Sequence, residues 1–78
     1  MSARPRKRSV MVAGHRTSLS LEDAFWKALH EVAAGRGVSV PVLVEQIDKT
    51  RAGASLSGAI RVYLLEDFRR RARTAPAD

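Results

Sequence analysis

The stretch from Arg16 to Leu21 reads Arg-Thr-Ser-Leu-Ser-Leu, and its polar and apolar side chains alternate. Successive side chains of a strand point to opposite faces, so this alternation predicts a half-buried strand over about residues 16–21. The buried face would hold Thr17, Leu19 and Leu21, and the exposed face Arg16, Ser18 and Ser20. Residues 10–13 either belong to this strand, with a bulge at Gly14, or lie outside it, with a break at Gly14.

Three helices are predicted after this strand. Apolar residues at three- and four-residue spacing indicate a first helix over about 22–34, a second over about 40–49 and a third over about 56–72. Gly37 is suited to end the first helix and Ser39 to cap the second. Ser20 is an alternative cap for the first helix, and either Ser55 or Ser57 can cap the third.

A single strand in a chain of 78 residues without cysteine lacks a pairing partner. An unpaired strand leaves backbone groups unsatisfied, and a chain this short buries only a small core. We therefore expect a mainly α fold with one β-strand, an intertwined homodimer with an intersubunit antiparallel two-stranded ribbon, and an additional C-terminal helix. The expected dimer core consists of Leu19, Leu21, Phe25, Leu29, Leu43 and Ile47.

The charge is concentrated at the two ends of the chain. The net charge is +6, but residues 1–16 alone contribute +5, the middle is slightly acidic, and the last ten residues contribute +3. Residues 1–9 are predicted to form a flexible basic arm, residues 10–73 the folded domain, and residues 74–78 a disordered tail. Clustered cations favour polyanions, so nucleic acid is the first partner to consider, although a solubilising tail is the simpler alternative.

Other classes of protein are disfavoured by the composition. No apolar run approaches the roughly 20 residues of a membrane span, and we expect neither a leader nor a membrane partner. Two histidines away from ligand spacing suggest no metal, no cofactor and no catalytic residue, so we expect a cytoplasmic protein that is not an enzyme.

Residues 16–49, with a strand leading into a helix, the turn Gly37-Val38-Ser39 and a capped second helix, resemble the ribbon-helix-helix DNA-binding family of the Arc and MetJ type. Residues 14–26, Gly-His-Arg-Thr-Ser-Leu-Ser-Leu-Glu-Asp-Ala-Phe-Trp, are most similar to a short bacterial subgroup of that family. The third helix departs from the minimal fold.

The resemblance implies a ribbon that enters the major groove of double-stranded DNA. Arg16, Ser18 and Ser20 would then contact bases, with Arg16 suited to guanine. Phosphate contacts would come from Val38 and Ser39 at the start of the second helix and from the arm. The arm residues concerned are Arg4, Arg6, Lys7 and Arg8.

The function expected from this resemblance is sequence-specific regulation of transcription by a homodimer, with several dimers side by side on DNA as a further expectation. An alternative is an antitoxin-type or adapter protein that uses the third helix to bind a protein partner. Only about ten residues follow Phe68, which disfavours this alternative.

Overall fold

The computed structural model describes residues 4–74, which form two strands followed by three helices. The elements are β1 (Arg6–Val12), β2 (His15–Leu21), α1 (Asp23–Arg36), α2 (Val40–Thr50) and α3 (Leu56–Thr74). Residues 1–3 of the predicted arm and 75–78 of the predicted tail lie outside the described residues, and Thr74 belongs to α3.

The two strands pair with each other along their whole length. They form an antiparallel hairpin in which Arg6 lies opposite Leu21 and Val12 opposite His15. The two residues between them, Ala13 and Gly14, have φ values of 51° and 84°. Positive φ at both central positions defines a type I′ turn, whose twist matches that of a hairpin. Gly14 is therefore a turn residue, and residues 10–12 belong to a second strand.

The prediction of a single strand is therefore wrong, and so is the argument that the strand needs a second subunit for pairing. The flexible arm is wrong for residues 6–9, which lie in β1. The cause is the charge on this segment. Arg6 and Arg8 occupy the face of β1 that turns toward the protein, so the expected polar–apolar alternation is visible only from Val10 onward.

The core lies between the inner face of the hairpin and the three helices. Val10, Val12, Leu19 and Leu21 from the hairpin are buried together with side chains of α1, α2 and α3. Of the six residues predicted for a dimer core, five are buried within this one chain, namely Leu19, Leu21, Leu29, Leu43 and Ile47. Phe25 is only half-buried. A second copy is therefore not needed to cover most of this set.

The observed helix boundaries lie within two residues of the predicted ones. Ser39 caps α2, because its Oγ accepts a hydrogen bond from the Val42 N–H at 3.3 Å. Ser55 is the cap of α3 and accepts from the Gly58 N–H at 3.0 Å. The N-cap of α1 is Glu22 and not Ser20. Within residues 4–74, none of the helices has the length and apolar composition needed to span a membrane.

The hairpin turn yields a stability prediction. Asparagine tolerates the left-handed conformation better than alanine, so Ala13→Asn should raise the free energy of unfolding by about 0.5–1 kcal/mol. Ala13→Val should lower it by about 1 kcal/mol or more, because a β-branched residue is strained at positive φ. Urea denaturation followed by circular dichroism measures both. A loss of stability in Ala13→Asn would contradict the tight intrachain turn.

Candidate functional site

The outward face of the hairpin presents six exposed side chains. They stand in three cross-strand pairs, Lys7 with Ser20, Ser9 with Ser18, and Met11 with Arg16. Directly opposed residues of an antiparallel pair share one face, so these six side chains form one continuous surface, which we call the hairpin face. It carries the two cations Lys7 and Arg16 and no carboxylate.

The structure brings the three predicted base-contacting residues together on this surface. Arg16, Ser18 and Ser20 lie on β2 at alternate positions, and all three are exposed. The sequence analysis missed Ser9 and Met11 and assigned Lys7 to a flexible arm. Their signal was the same two-residue period, but the charged residues on the inner face of β1 concealed it. Met11 is a large apolar side chain that is 48% exposed.

The predicted basic arm is divided between the two faces of β1. The Arg8 side chain is only 18% exposed, and it is ion-paired with Asp23. Its guanidinium also lies 4.9 Å from the centre of the Trp26 ring, at a cation–π distance. Arg6 Nε lies 3.6 Å from the same Asp23 carboxylate. These two arginines therefore connect β1 to α1, whereas Lys7 faces outward and Arg4 lies exposed before the strand.

The open end of the hairpin is bound to α3. The backbone N–H of Ser20 donates to Ser57 Oγ at 3.0 Å, and its carbonyl accepts from Arg61 Nη2 at 3.0 Å. Both contacts use backbone atoms, so the Ser20 side chain stays exposed on the hairpin face. Ser57 and Arg61 thus position the hairpin, a role that the local sequence pattern did not show.

Arg61 also joins this end of the hairpin to the start of α1. Its Nε donates to Glu22 Oε1 at 3.0 Å. The pKa of Glu22 lies below its ordinary value, chiefly because its own backbone amide stabilises the carboxylate and secondly because Arg61 donates to it, while partial burial opposes the shift. Glu22 is therefore charged at neutral pH, and its ion pair with Arg61 is intact.

The start of α2 is the second part of the predicted site. Val38 is half-buried and Ser39 is exposed, directly before Val40 begins the helix. The first backbone N–H groups of a helix lack intrahelical partners and carry partial positive charge, which suits them to an anion such as a phosphate. Not all of these groups are available here, because the Val38 N–H donates to the Ala33 carbonyl at 3.0 Å, Pro41 has no N–H, and the Val42 N–H donates to the Ser39 hydroxyl.

Comparison with known proteins gives one match. A family model described as "Ribbon-helix-helix domain" matches residues 5–68 of the chain. The match includes both strands, α1, α2 and most of α3. No curated protein and no solved structure matches the chain significantly.

The two faces of β1 predict effects of different size on stability for the neighbouring residues Arg8 and Lys7. Arg8→Ala should lower the free energy of unfolding by about 1–2 kcal/mol, because it removes the contacts with Trp26 and Asp23. Lys7→Ala, on the exposed face, should stay within about 0.5 kcal/mol of the wild type. Chemical denaturation of both variants measures the difference. Equal effects would contradict the assignment of Arg8 to the inner face.

The Glu22–Arg61 pair predicts a pH dependence. Because folding lowers the pKa of Glu22 below 4.5, its contribution to stability is present above that pH and is lost as the pH falls through the folded-state pKa. Glu22→Gln should therefore be less stable than the wild type at pH 7, and the two denaturation midpoints should converge at lower pH. Glu31→Gln removes an exposed carboxylate from α1 and is the matched control. A gap that stays constant with pH would contradict this role.

Proposed function

Since the chain belongs to the ribbon-helix-helix domain family, we propose that it is a sequence-specific DNA-binding regulator of transcription, without enzymatic activity, that acts in the cytoplasm. The observation that carries this proposal is the hairpin face, on which six exposed side chains with two cations and no carboxylate stand on a two-stranded ribbon. The major groove of B-DNA is wide enough to admit such a ribbon.

The hairpin face offers groups that match base edges. Arg16 is suited to a bidentate contact with O6 and N7 of guanine, and Met11, its cross-strand neighbour, to the methyl group of thymine. Ser9, Ser18 and Ser20 supply hydroxyls that both donate and accept hydrogen bonds. One chain therefore offers six outward positions, twice the three predicted on β2 from the sequence.

Phosphate contacts orient the ribbon without choosing the sequence. We assign them to the backbone N–H group of Ser39 and to the cations Lys7 and Arg4. The predicted contact through the Val38 N–H is dropped, because that group donates to the Ala33 carbonyl at 3.0 Å. Arg6 and Arg8 face Asp23, and in this proposal they fix the hairpin to α1 instead. Ribbon-helix-helix proteins usually bind DNA as dimers, and we propose that this chain does so on a site of twofold symmetry.

The test begins with selection of preferred duplexes from a random pool, followed by fluorescence anisotropy at moderate salt. The wild type should bind selected duplexes at least about 1,000-fold more tightly than random duplex. Arg16→Ala should weaken binding to the selected site by about 5- to 150-fold and leave binding to random duplex nearly unchanged. Failure to select any preferred duplex would overturn the sequence-specific proposal.

The role of Met11 is tested by replacing thymine with uracil, which removes only the methyl group. At the contacted position, this replacement should weaken binding of the wild type severalfold and have little effect on Met11→Ala. Val42→Ala, which shortens an exposed apolar side chain on α2, is the matched control and should respond as the wild type does. An equal effect of uracil on the wild type and Met11→Ala at every thymine would exclude this contact.

A further inference from the structure

A pocket of about 400 Å³ lies between the C-terminal end of α2, the loop that follows it and the N-terminal half of α3. Its apolar wall includes Ile47 from α2, Ala54 from the loop, and Ala59 and Val62 from α3. We call it the α2–α3 pocket. Pockets that bind small molecules have volumes of about 300–1,000 Å³, so this one is large enough for a ligand of one or two rings.

The wall of the α2–α3 pocket contains a side chain with an unused hydrogen-bonding group. Tyr63 lines the pocket, and its Oη is buried and makes no hydrogen bond within residues 4–74. Most buried polar atoms in proteins are hydrogen-bonded, because burial without a partner costs free energy. Arg36 of α1 lies 5.3 Å from the centre of the Tyr63 ring, but it is ion-paired with Asp67 and is not part of the pocket wall.

The charged groups of the wall favour a cation. Arg51 lines the pocket, but its Nε pairs with Asp48 at 2.5 Å and its Nη1 donates to a loop carbonyl at 2.9 Å. Glu66 also lines the pocket, and within the described residues its exposed carboxylate belongs to no ion pair. Arg70, one turn further along α3, is paired with Asp67 instead. The carboxylate of Glu66 is therefore the unbalanced charge of this wall.

The polar groups of the pocket are suited to a donor of several hydrogen bonds. Tyr63 and Glu66 are three residues apart on α3, so they are neighbours on one face of the helix. The Thr50 hydroxyl, on the opposite wall, donates to the Ile47 carbonyl at 3.0 Å, and its oxygen keeps lone pairs that accept. An ammonium group has three donors and no acceptor, which complements a carboxylate and two hydroxyl oxygens.

We propose that the α2–α3 pocket binds a small organic cation, namely an amine with an apolar body of one or two rings. The body packs on the apolar wall, and the ammonium group donates to Glu66, with Tyr63 and Thr50 as further acceptors. This site is separate from the proposed DNA-binding function, since none of the described residues that line the pocket belongs to the hairpin face.

The first experiment is an NMR titration of the isotope-labelled full chain without DNA. Three probes share a naphthalene ring and one methylene group and differ only in the terminal group, namely naphthylmethylamine, naphthylmethanol and naphthylacetate. The amine should shift backbone amide signals around the pocket, such as those of Ile47, Ala59 and Val62, with a Kd in the millimolar range or below. The alcohol should bind at least about 5-fold less tightly, and the acetate more weakly still.

This order of affinities separates the pocket from non-specific binding. The net charge of +6 attracts an anion to the surface as a whole, so non-specific binding would favour the acetate. Equal affinities for the three probes, preference for the acetate, or the absence of shifts around the pocket would each overturn the proposal.

The second experiment repeats the titration with variants that should remain folded by circular dichroism. Glu66→Gln should reduce the preference for the amine over the alcohol to less than about 2-fold and leave the affinity for the alcohol unchanged. Glu31→Gln removes an exposed carboxylate from α1 and gives the same net charge, so it is the matched control and should keep the preference. Tyr63→Phe removes only the unpartnered hydroxyl and should weaken binding of the amine by about 3- to 10-fold.

A preference for the amine that survives Glu66→Gln, or that is lost equally in Glu31→Gln, would exclude the assigned site. Because DNA is absent throughout, these results are independent of the proposed DNA-binding function.

Discussion

Antiparallel pairing between β1 and β2 is the contact on which the rest of the molecule depends. A strand keeps its backbone polar groups satisfied only when a neighbour supplies the complementary groups, and here the neighbour is the segment directly before it in the chain. The pairing also sorts the side chains of both strands. Val10, Val12, Leu19 and Leu21 enter the core, while their sequence neighbours form the hairpin face. The register in which β1 pairs with β2 therefore decides both which side chains form the hairpin face and which enter the core.

The spacing of apolar residues was sufficient to predict those elements in which the spacing follows a clear helix or strand period. The three helices and β2 were predicted within a few residues, because apolar spacing and caps such as Ser39 are local features. Strand β1 was missed, since its inner positions begin with two arginines whose partners, Asp23 and Trp26, lie on α1. The contacts of Ser20 with Ser57 and Arg61 join residues about forty positions apart, and no local period contains that information.

The net charge of the sequence does not show which charged side chains are paired within the fold. Asp67 is buried near the end of α3 and is ion-paired with Arg70, with Arg71 at 3.0 Å and with Arg36 at 3.6 Å. Arg36 also lies 5.3 Å from the centre of the Tyr63 ring. Arg70 and Arg71 thus pair within α3, and Arg36 connects α1 to α3. The outward cations of the hairpin face, Lys7 and Arg16, stand instead on a surface without carboxylates.

The two-residue turn at Ala13 and Gly14 has a consequence for how association and folding are coupled. When a ribbon is shared between two chains, neither chain can complete it alone, and folding and dimerisation form one equilibrium. A chain that closes its own hairpin separates these equilibria. In the dimer proposed for DNA binding, the second chain would add a second hairpin face nearby, which acts through effective concentration and not through completion of the fold. The spacing between two half-sites would accordingly govern how steeply occupancy rises with protein concentration.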